Sequence, residues 1–132
     1  MERIVRVTAV TDAGRYVARL ETRLSDNAIY TKELSNFSDH TSKERTALYA
    51  AVQTMSALRK PCTVVYQADT PYLAAAYKRL NEWKQNGWMT VKKQQVKNQD
   101  LWEALEAACA KTGSTIRFHY NKEEIKQEEP NE

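Results

Sequence analysis

Residues 3–11 are rich in residues that favour strands, and residues 15–24 alternate between apolar and polar side chains with a period of two. In residues 15–24, for example, Tyr16, Ala18 and Leu20 alternate with arginine and glutamate. This pattern is typical of strands that bury one face and expose the other to water. Small and polar residues at 12–14 and 25–27 predict tight turns. With a further strand at 28–34, the N-terminal part of the chain predicts a three-stranded antiparallel meander.

The apolar spacing becomes helical after residue 43. Apolar side chains recur every three or four positions through residues 44–60, which predicts an amphipathic helix that Pro61 ends. A continuous apolar run at 63–68 predicts a strand covered on both faces by helices. Thr70 and Asn98 are the predicted N-caps of the helices that follow. The remaining predicted elements are helices at 72–83 and 99–112 and a strand at 114–120.

Composition narrows the possible functions. The chain has 132 residues, the length of one ordinary domain. It contains no apolar run of about 18 residues that would span a bilayer, so we expect a cytoplasmic protein without membrane contact. Cys62, Cys109, His40 and His119 stand apart along the chain. This spacing indicates neither a zinc site nor a Ser-His or Cys-His nucleophile.

Positive charge is concentrated in one segment. The formal net charge is +3, but residues 78–98, which we call the basic protrusion, carry six basic residues against Glu82 alone. Together with Trp83 and Trp88, these charges favour a polyanionic partner; the alternative is a solvated basic face. Residues 122–132 contain two lysines and five glutamates. We expect one domain at 1–121 followed by a disordered acidic tail.

Two segments carry a family resemblance. Residues 44–73, ERTALYAAVQTMSALRKPCTVVYQADTPYL, resemble the ribonuclease H stretch in which an R-x-E-L-x-A-A helix leads to a strand ending in S-D-S-x-Y. Residues 82–105, EWKQNGWMTVKKQQVKNQDLWEAL, resemble the protrusion of type 1 ribonucleases H, with its W-K-x-x-G-W, V-K-N and D-L-W in the same order. The resemblance extends from about Tyr16 to Tyr120. It implies an α/β fold with a mixed five-stranded sheet, three antiparallel strands then two parallel, helices on both faces, and no C-terminal helix.

The resemblance also implies a chemistry: hydrolysis of the RNA strand of an RNA/DNA hybrid by two metal ions that four acids hold. Asp69 stands at the S-D-S position and is the catalytic and metal-binding residue that carries over, although it alternatively caps a helix. Ala47 stands at the helix glutamate, and the last acid has no counterpart. Asp12 either corresponds to the first acid or lies at a hairpin tip. Glu44, one helical turn before Ala47 on the same face, is a further candidate catalytic acid that could reach partway toward Asp69. We therefore expect no required cofactor and at most one weakly bound Mg²⁺ or Mn²⁺ at Asp69.

In this family the groups that bind the hybrid are separate from the metal ions, and the basic protrusion is the part that this sequence retains. The lysines of the basic protrusion would neutralise about four phosphates, which gives a slope of roughly −3 to −4 for log affinity against log salt. The two tryptophans would brace the protrusion or pack on a sugar, and Asn98 would donate to backbone oxygens. The residues assigned to this surface are Trp83, Lys84, Trp88, Lys92, Lys93, Lys97 and Asn98.

The sequence leaves three functions open. The first is a ribonuclease H-like domain that binds an RNA/DNA hybrid or another duplex, with catalysis lost or strongly reduced. The second is an active ribonuclease H with a minimal metal site, or one that a second subunit completes. The third is a protein-interaction scaffold, a homodimer included, that uses an exposed sheet edge, because a fold alone does not determine a function.

Overall fold

The computed structural model describes residues 3–12, 14–23, 27–37 and 42–120. The predicted acidic tail, His40 and parts of both predicted turns lie outside these residues. The strands are β1 (Ile4–Asp12), β2 (Arg15–Arg23), β3 (Ile29–Phe37), β4 (Thr63–Gln67) and β5 (Thr115–His119). The helices are α1 (Lys43–Ser56), α2 (Tyr72–Tyr77), α3 (Leu80–Gln85) and α4 (Gln99–Thr112).

The strands form one mixed sheet in the order β3-β2-β1-β4-β5. β1, β2 and β3 pair antiparallel, whereas β4 is parallel to both β1 and β5. The predicted three-plus-two arrangement is confirmed. β3 is longer than predicted because its polar end, as far as Phe37, continues to pair with β2 at Arg15. Backbone pairing, rather than an apolar pattern, sets the length of this strand.

The helix predicted at 72–83 is two helices, α2 and α3. Between them the N–H of Arg79 donates to the carbonyl of Ala76, a tightened i→i−3 contact that interrupts the regular helical ladder. The apolar spacing continues across this break, so the periodicity alone predicts a single helix. The break matters because α3 begins the basic protrusion.

A single core lies between the helices and one face of the sheet. Along β1, Val5, Val7 and Ala9 are buried, and α1 packs across β1 and β2 with Leu48 fully buried. α1 also contacts α2 and α4, so these helices form one layer. The buried aromatic ring of Trp102 lies 6.3 Å from the ring of Phe118 and joins α4 to β5.

The opposite face of the sheet differs from the expectation of helices on both faces. Among the residues that the structure describes, the buried positions of β1 lie on the face that α1 packs against, and Val10 on the other face is 62% exposed. β4 accordingly buries Val64 and Tyr66, while Val65 is half-buried. The apolar run in β4 reflects its place between β1 and β5 inside the sheet.

None of the helices in the described part of the chain is long and apolar enough to cross a membrane.

Replacing Leu48 with alanine tests the position of the core. Leu48→Ala removes a fully buried side chain and is expected to lower the free energy of unfolding by about 3 kcal/mol, through lost transfer energy and the cavity left behind. Urea unfolding followed by circular dichroism measures this change. Val91→Ala is the control: its side chain is 83% exposed, so we expect a change below about 0.5 kcal/mol. Equal effects of the two variants would contradict the assigned core.

Candidate nucleic-acid interface and the Asp69 site

Asp69 lies directly after β4, and protein donors bind both of its carboxylate oxygens. Oδ2 accepts the backbone N–H of Thr11 at 2.8 Å, and Oδ1 accepts the Thr11 hydroxyl at 2.8 Å. The ammonium of Lys43, the first residue of α1, lies 3.5 Å from Oδ2. The Asp69 side chain is 18% exposed and that of Lys43 is 49% exposed. The N-cap of α2 is Pro71 and not the predicted Thr70, although the Thr70 hydroxyl accepts the N–H of Tyr72 at 3.4 Å.

Strand alternation explains why Thr11, rather than Asp12, faces Asp69. Thr11 is buried on the same face of β1 as Ala9, and β1 runs parallel to β4 with Thr8 opposite Gln67. Asp12 is the next residue, so it points to the exposed face, where it pairs with Arg15 across the hairpin. This position corresponds to the hairpin-tip alternative for Asp12. Thr11 therefore occupies the position next to Asp69 where a two-metal site would need the first acid.

Helix α1 brings a cation, and no acid, to this site. Ala47 is 2% exposed and contributes a methyl group to the core. Glu44 is exposed in the first turn, but the neighbouring Lys43 is the residue that reaches Asp69. The Thr46 hydroxyl accepts the N–H of Gly14 at 3.2 Å.

The described residues at this site do not supply a donor set for two metal ions. Among the described residues, no group of three or more His, Cys, Asp or Glu side chains lies together. Two divalent ions need several converging carboxylates to offset their mutual repulsion. The described residues contribute one carboxylate to this site, that of Asp69, and Lys43 lies beside it. The residues present therefore do not fit the pair of ions that the resemblance implies.

The basic protrusion consists of α3 and a short hairpin braced from beneath. Trp83 and Trp88 are half-buried and pack against the core. The N–H of Trp88 donates to the carbonyl of Trp83 at 2.7 Å, and the carbonyl of Trp88 accepts the N–H of Val96 at 3.0 Å. Val96 is buried, and Met89 bridges Gln95 between the two arms. Of the two roles predicted for the tryptophans, bracing is the one their positions match.

A tight turn forms the tip of the hairpin and carries two lysines. The N–H of Lys93 donates to the carbonyl of Thr90 at 2.9 Å, and the N–H of Thr90 donates to the carbonyl of Gln94 at 2.7 Å. Lys92 lies inside this turn. Lys93, with φ at 61°, adopts a left-handed conformation. Both lysines are exposed, as is Lys97 on the returning arm, and the three make no ion pair with any other described residue.

Lys84, another predicted phosphate contact, is engaged within the protein. Its ammonium lies 2.9 Å from Oε2 of Glu106 and ties α3 to α4. The carboxylate offsets most of its charge, so Lys84 has less charge to offer a phosphate than the hairpin lysines. The sequence shows no period that links these two residues, because they lie 22 positions apart on different helices.

Asn98 lies at the centre of a hydrogen-bond network at the base of the hairpin. Its Oδ1 accepts from the guanidinium of Arg45 at 3.0 Å, and its Nδ2 donates to the Tyr72 hydroxyl at 2.9 Å. Trp102 Nε1 donates to the same hydroxyl at 3.2 Å. Asn98 has φ at 64° and makes no side-chain cap bond to α4; its carbonyl instead accepts the N–H groups of Leu101 and Trp102. Asn98 is therefore the N-cap residue of α4, as predicted, but it caps through its backbone carbonyl, because its side-chain amide anchors the hairpin.

Arg45 and Asp100 form an ion pair beside this network that the sequence reasoning missed. The guanidinium donates to both Asp100 oxygens, at 3.0 Å and 2.6 Å. This two-point contact joins the first turn of α1 to the first turn of α4. The hydrogen bond from Arg45 lowers the pKa of Asp100 below its ordinary value. The signal was present in the quoted motifs, as the arginine of R-x-E-L and the aspartate of D-L-W.

Replacing Asp100 with asparagine tests this anchor. Because the folded-state pKa of Asp100 is lowered, the ion pair stabilises the protein above the unfolded-state pKa, and this contribution is lost as pH falls through the folded-state pKa. Asp100→Asn is expected to lower the free energy of unfolding at pH 7 by about 1 kcal/mol or less, since the pair is partly exposed. Urea unfolding at neutral and acidic pH measures the free energy of unfolding of the wild type and of Asp100→Asn. An undiminished difference between them at low pH would contradict the assignment.

Both the sequence and the fold of this chain are similar to those of known proteins. The RNase H family model matches residues 8–123. A ribonuclease H from Symbiobacterium thermophilum is 45% identical over 82 residues, which cover 60% of this chain and 56% of that protein. One from Rhodopseudomonas palustris strain TIE-1 is 42% identical over 92 residues, covering 69% and 58%. These matches span little more than half the length of the curated relatives.

Among solved structures, LC9-RNase H1, described as a type 1 RNase H with the type 2 active-site motif, superposes with a TM-score of 0.74 at 18% identity, covering 92% of this chain and 65% of that one. A foamy viral protease-reverse transcriptase in complex with RNA/DNA hybrid gives 0.58 at 14% identity, covering 95% and 18%. These structures share the fold, and the family model covers most of the sequence. The chain therefore belongs to the RNase H family.

Proposed function

We propose that this chain binds nucleic-acid duplexes, an RNA/DNA hybrid among them, and that its capacity to hydrolyse them is lost or strongly reduced. The observation that carries the proposal is a contrast between two surfaces. The hairpin presents Lys92, Lys93 and Lys97 without ion pairs to other described residues, whereas at Asp69 the carboxylate is bound by Thr11 and Lys43. The first surface suits a polyanion, and at the second the described part of the chain does not supply the acids that cleavage by two metals needs.

The rigidity of the hairpin supports binding. Its arms are bonded to each other, its base is tied to α1 and α2 through Asn98, and its underside packs on the core through Trp83 and Trp88. The lysines therefore project from a fixed scaffold, so less conformational freedom is lost on binding than from a flexible loop. Contacts of lysine with phosphate position a protein on a duplex without reading its sequence.

The arrangement at Asp69 supports the loss of hydrolysis. Two-metal phosphodiester cleavage depends on metal ions that bind both the attacking and the leaving oxygen. The residues of β1 and α1 that contact Asp69 are the neutral Thr11 and the cationic Lys43, and the alanine at position 47, where the resemblance implies a glutamate, is buried in the core. With the carboxylate of Asp69 and no pair of metal ions, the charge that develops on the phosphate would lack its main stabilising partner.

An active ribonuclease H is the second candidate, and the names of the relatives favour it. Proteins that are 42–45% identical over parts of their length are ribonucleases H by name. In this alternative, Asp69 combines with acids that lie outside the described residues or that a second copy of the chain supplies. The two candidates differ in whether cleavage depends on Asp69.

Binding is tested by fluorescence anisotropy with a labelled RNA/DNA hybrid, duplex DNA and duplex RNA. We expect binding to at least one of them, with log affinity falling against log salt at a slope of about −3. The double variant Lys92→Gln/Lys93→Gln is expected to weaken binding about tenfold or more and to make the slope shallower by about two, because two phosphate contacts are lost. Lys111→Gln, an exposed lysine in the last turn of α4, is the single-charge control and is expected to match the wild type.

Absence of salt-dependent binding to all three duplexes would refute the proposed function. In that case the interaction-scaffold alternative gains support if light scattering also finds a dimer. The single variants Lys92→Gln and Lys93→Gln are measured beside Lys111→Gln, and an equal effect of all three would mean that binding depends on overall charge and not on the hairpin.

Hydrolysis is tested with a 5′-labelled hybrid in the presence of Mg²⁺ and, separately, Mn²⁺. We expect the purified wild type to cleave at least about a thousandfold more slowly than an active ribonuclease H, since an absent metal pair removes several kcal/mol of transition-state stabilisation. Any trace cleavage should be the same in Asp69→Asn. Rapid cleavage by the wild type that Asp69→Asn abolishes would favour the second candidate.

A further inference from the structure

We propose that the ammonium of Lys43 takes the place of a divalent cation beside Asp69, so that this chain binds nucleic acid without a divalent metal and uses Lys43 itself as a phosphate contact. The inference rests on the proposed duplex binding and goes beyond it. It names a residue outside the basic protrusion and predicts how binding depends on metal.

The first step is the charge balance at Asp69. Thr11 supplies an N–H and an O–H at 2.8 Å each, one to each oxygen, and Lys43 adds a full positive charge at 3.5 Å. A carboxylate with this surrounding has its single charge matched and a hydrogen bond at each oxygen. It has no remaining electrostatic need for a metal ion.

The second step is what a divalent ion would meet at this place. An ion bound at Asp69 would lie close to the Lys43 ammonium, and like charges at such short range repel each other strongly in a partly buried site. The other residues of β1 and α1 offer little compensation. Thr11, which contacts Asp69, is neutral, Ala47 has no ligating group and is buried in the core, and Asp12 lies on the opposite face of β1. Binding of Mg²⁺ or Mn²⁺ would require the ammonium to leave.

The third step is the access of Lys43 to a ligand. Its side chain is about half exposed, and an ammonium has three N–H donors, of which the contact to Asp69 uses one. The remaining donors can bind phosphate oxygens.

The fourth step is the position of Lys43 relative to the hairpin. Arg45, two residues further along α1, bonds to Asn98 and Asp100 at the base of the hairpin. The first turn of α1, which also contains Lys43, is therefore anchored at the base of the hairpin. Residues two positions apart on a helix point to different sides, so Arg45 reaches the hairpin while Lys43 reaches Asp69. A duplex that is held by the hairpin lysines and extends past the base of the hairpin to Asp69 would meet Lys43.

Metal dependence of binding is the first test. The dissociation constant for an RNA/DNA hybrid is measured by anisotropy in EDTA and in Mg²⁺ at matched ionic strength. We expect the two values to agree within about twofold, because no metal bridges the protein and the phosphate. Tenfold tighter binding in Mg²⁺ than in EDTA would overturn the inference.

Substitution of Lys43 is the second test, made in EDTA. Lys43→Gln is expected to weaken binding about threefold to tenfold and to make the salt slope shallower by about one, whereas Lys43→Arg, which keeps the cation, retains most of the affinity. Lys60→Gln is the matched control, an exposed lysine beyond the far end of α1. Equal affinities of Lys43→Gln and Lys60→Gln would overturn the phosphate contact. Circular dichroism melting shows that each variant is folded.

Binding of Mn²⁺ to the protein alone gives a readout that needs no nucleic acid. Electron paramagnetic resonance of Mn²⁺ titrated with wild type and with Asp69→Asn is expected to show no difference in bound metal. Bound Mn²⁺ that Asp69→Asn releases would overturn the replacement of the metal by Lys43. If the wild type binds no duplex, the proposed function fails, and this measurement still decides whether Lys43 excludes metal from Asp69.

Discussion

A carboxylate that is mostly removed from water must be hydrogen-bonded and charge-compensated, and the Asp69 site is organised around that constraint. Metal ions can meet this requirement, and so can side chains. Here Thr11 supplies two hydrogen bonds and Lys43 supplies the charge. The same three residues join the end of β1, the end of β4 and the start of α1. The contact that stabilises this corner of the fold is therefore also the one that removes the reason for a metal to bind.

Strand periodicity made most of the sheet predictable, but it could not determine which residue faces Asp69. Thr11 and Asp12 are adjacent and polar, and a shift of one residue exchanges the faces of a strand. The resemblance in V-T-D-A-G favoured the aspartate. The parallel pairing with β4, fixed by the apolar Val5 and Val7 that must face the core, decides for Thr11. The physical reason lies in the register between two strands that are distant in sequence.

The protrusion shows a second limit of sequence reasoning. Counting lysines treats Lys84 and Lys92 alike, because both stand among basic residues and near a tryptophan. Only the packing of α3 against α4 brings Glu106 to Lys84, and only the turn at Thr90 turns Lys92 outward. Asn98 is a similar case: three elements converge on its amide. Helix and strand periods describe each element alone, so they carry no information about such convergence.

The left-handed residues of the protrusion impose a trade-off on its evolution. Trp88, Lys93 and Asn98 all have φ near 60°, a conformation that side chains with a Cβ adopt at a cost of roughly 1 kcal/mol or more each. Glycine would relieve that strain at any of them. At position 93, however, glycine would also remove one of the outward positive charges. Selection for a more stable fold and selection for higher affinity for a polyanion therefore act in opposite directions on the same codon.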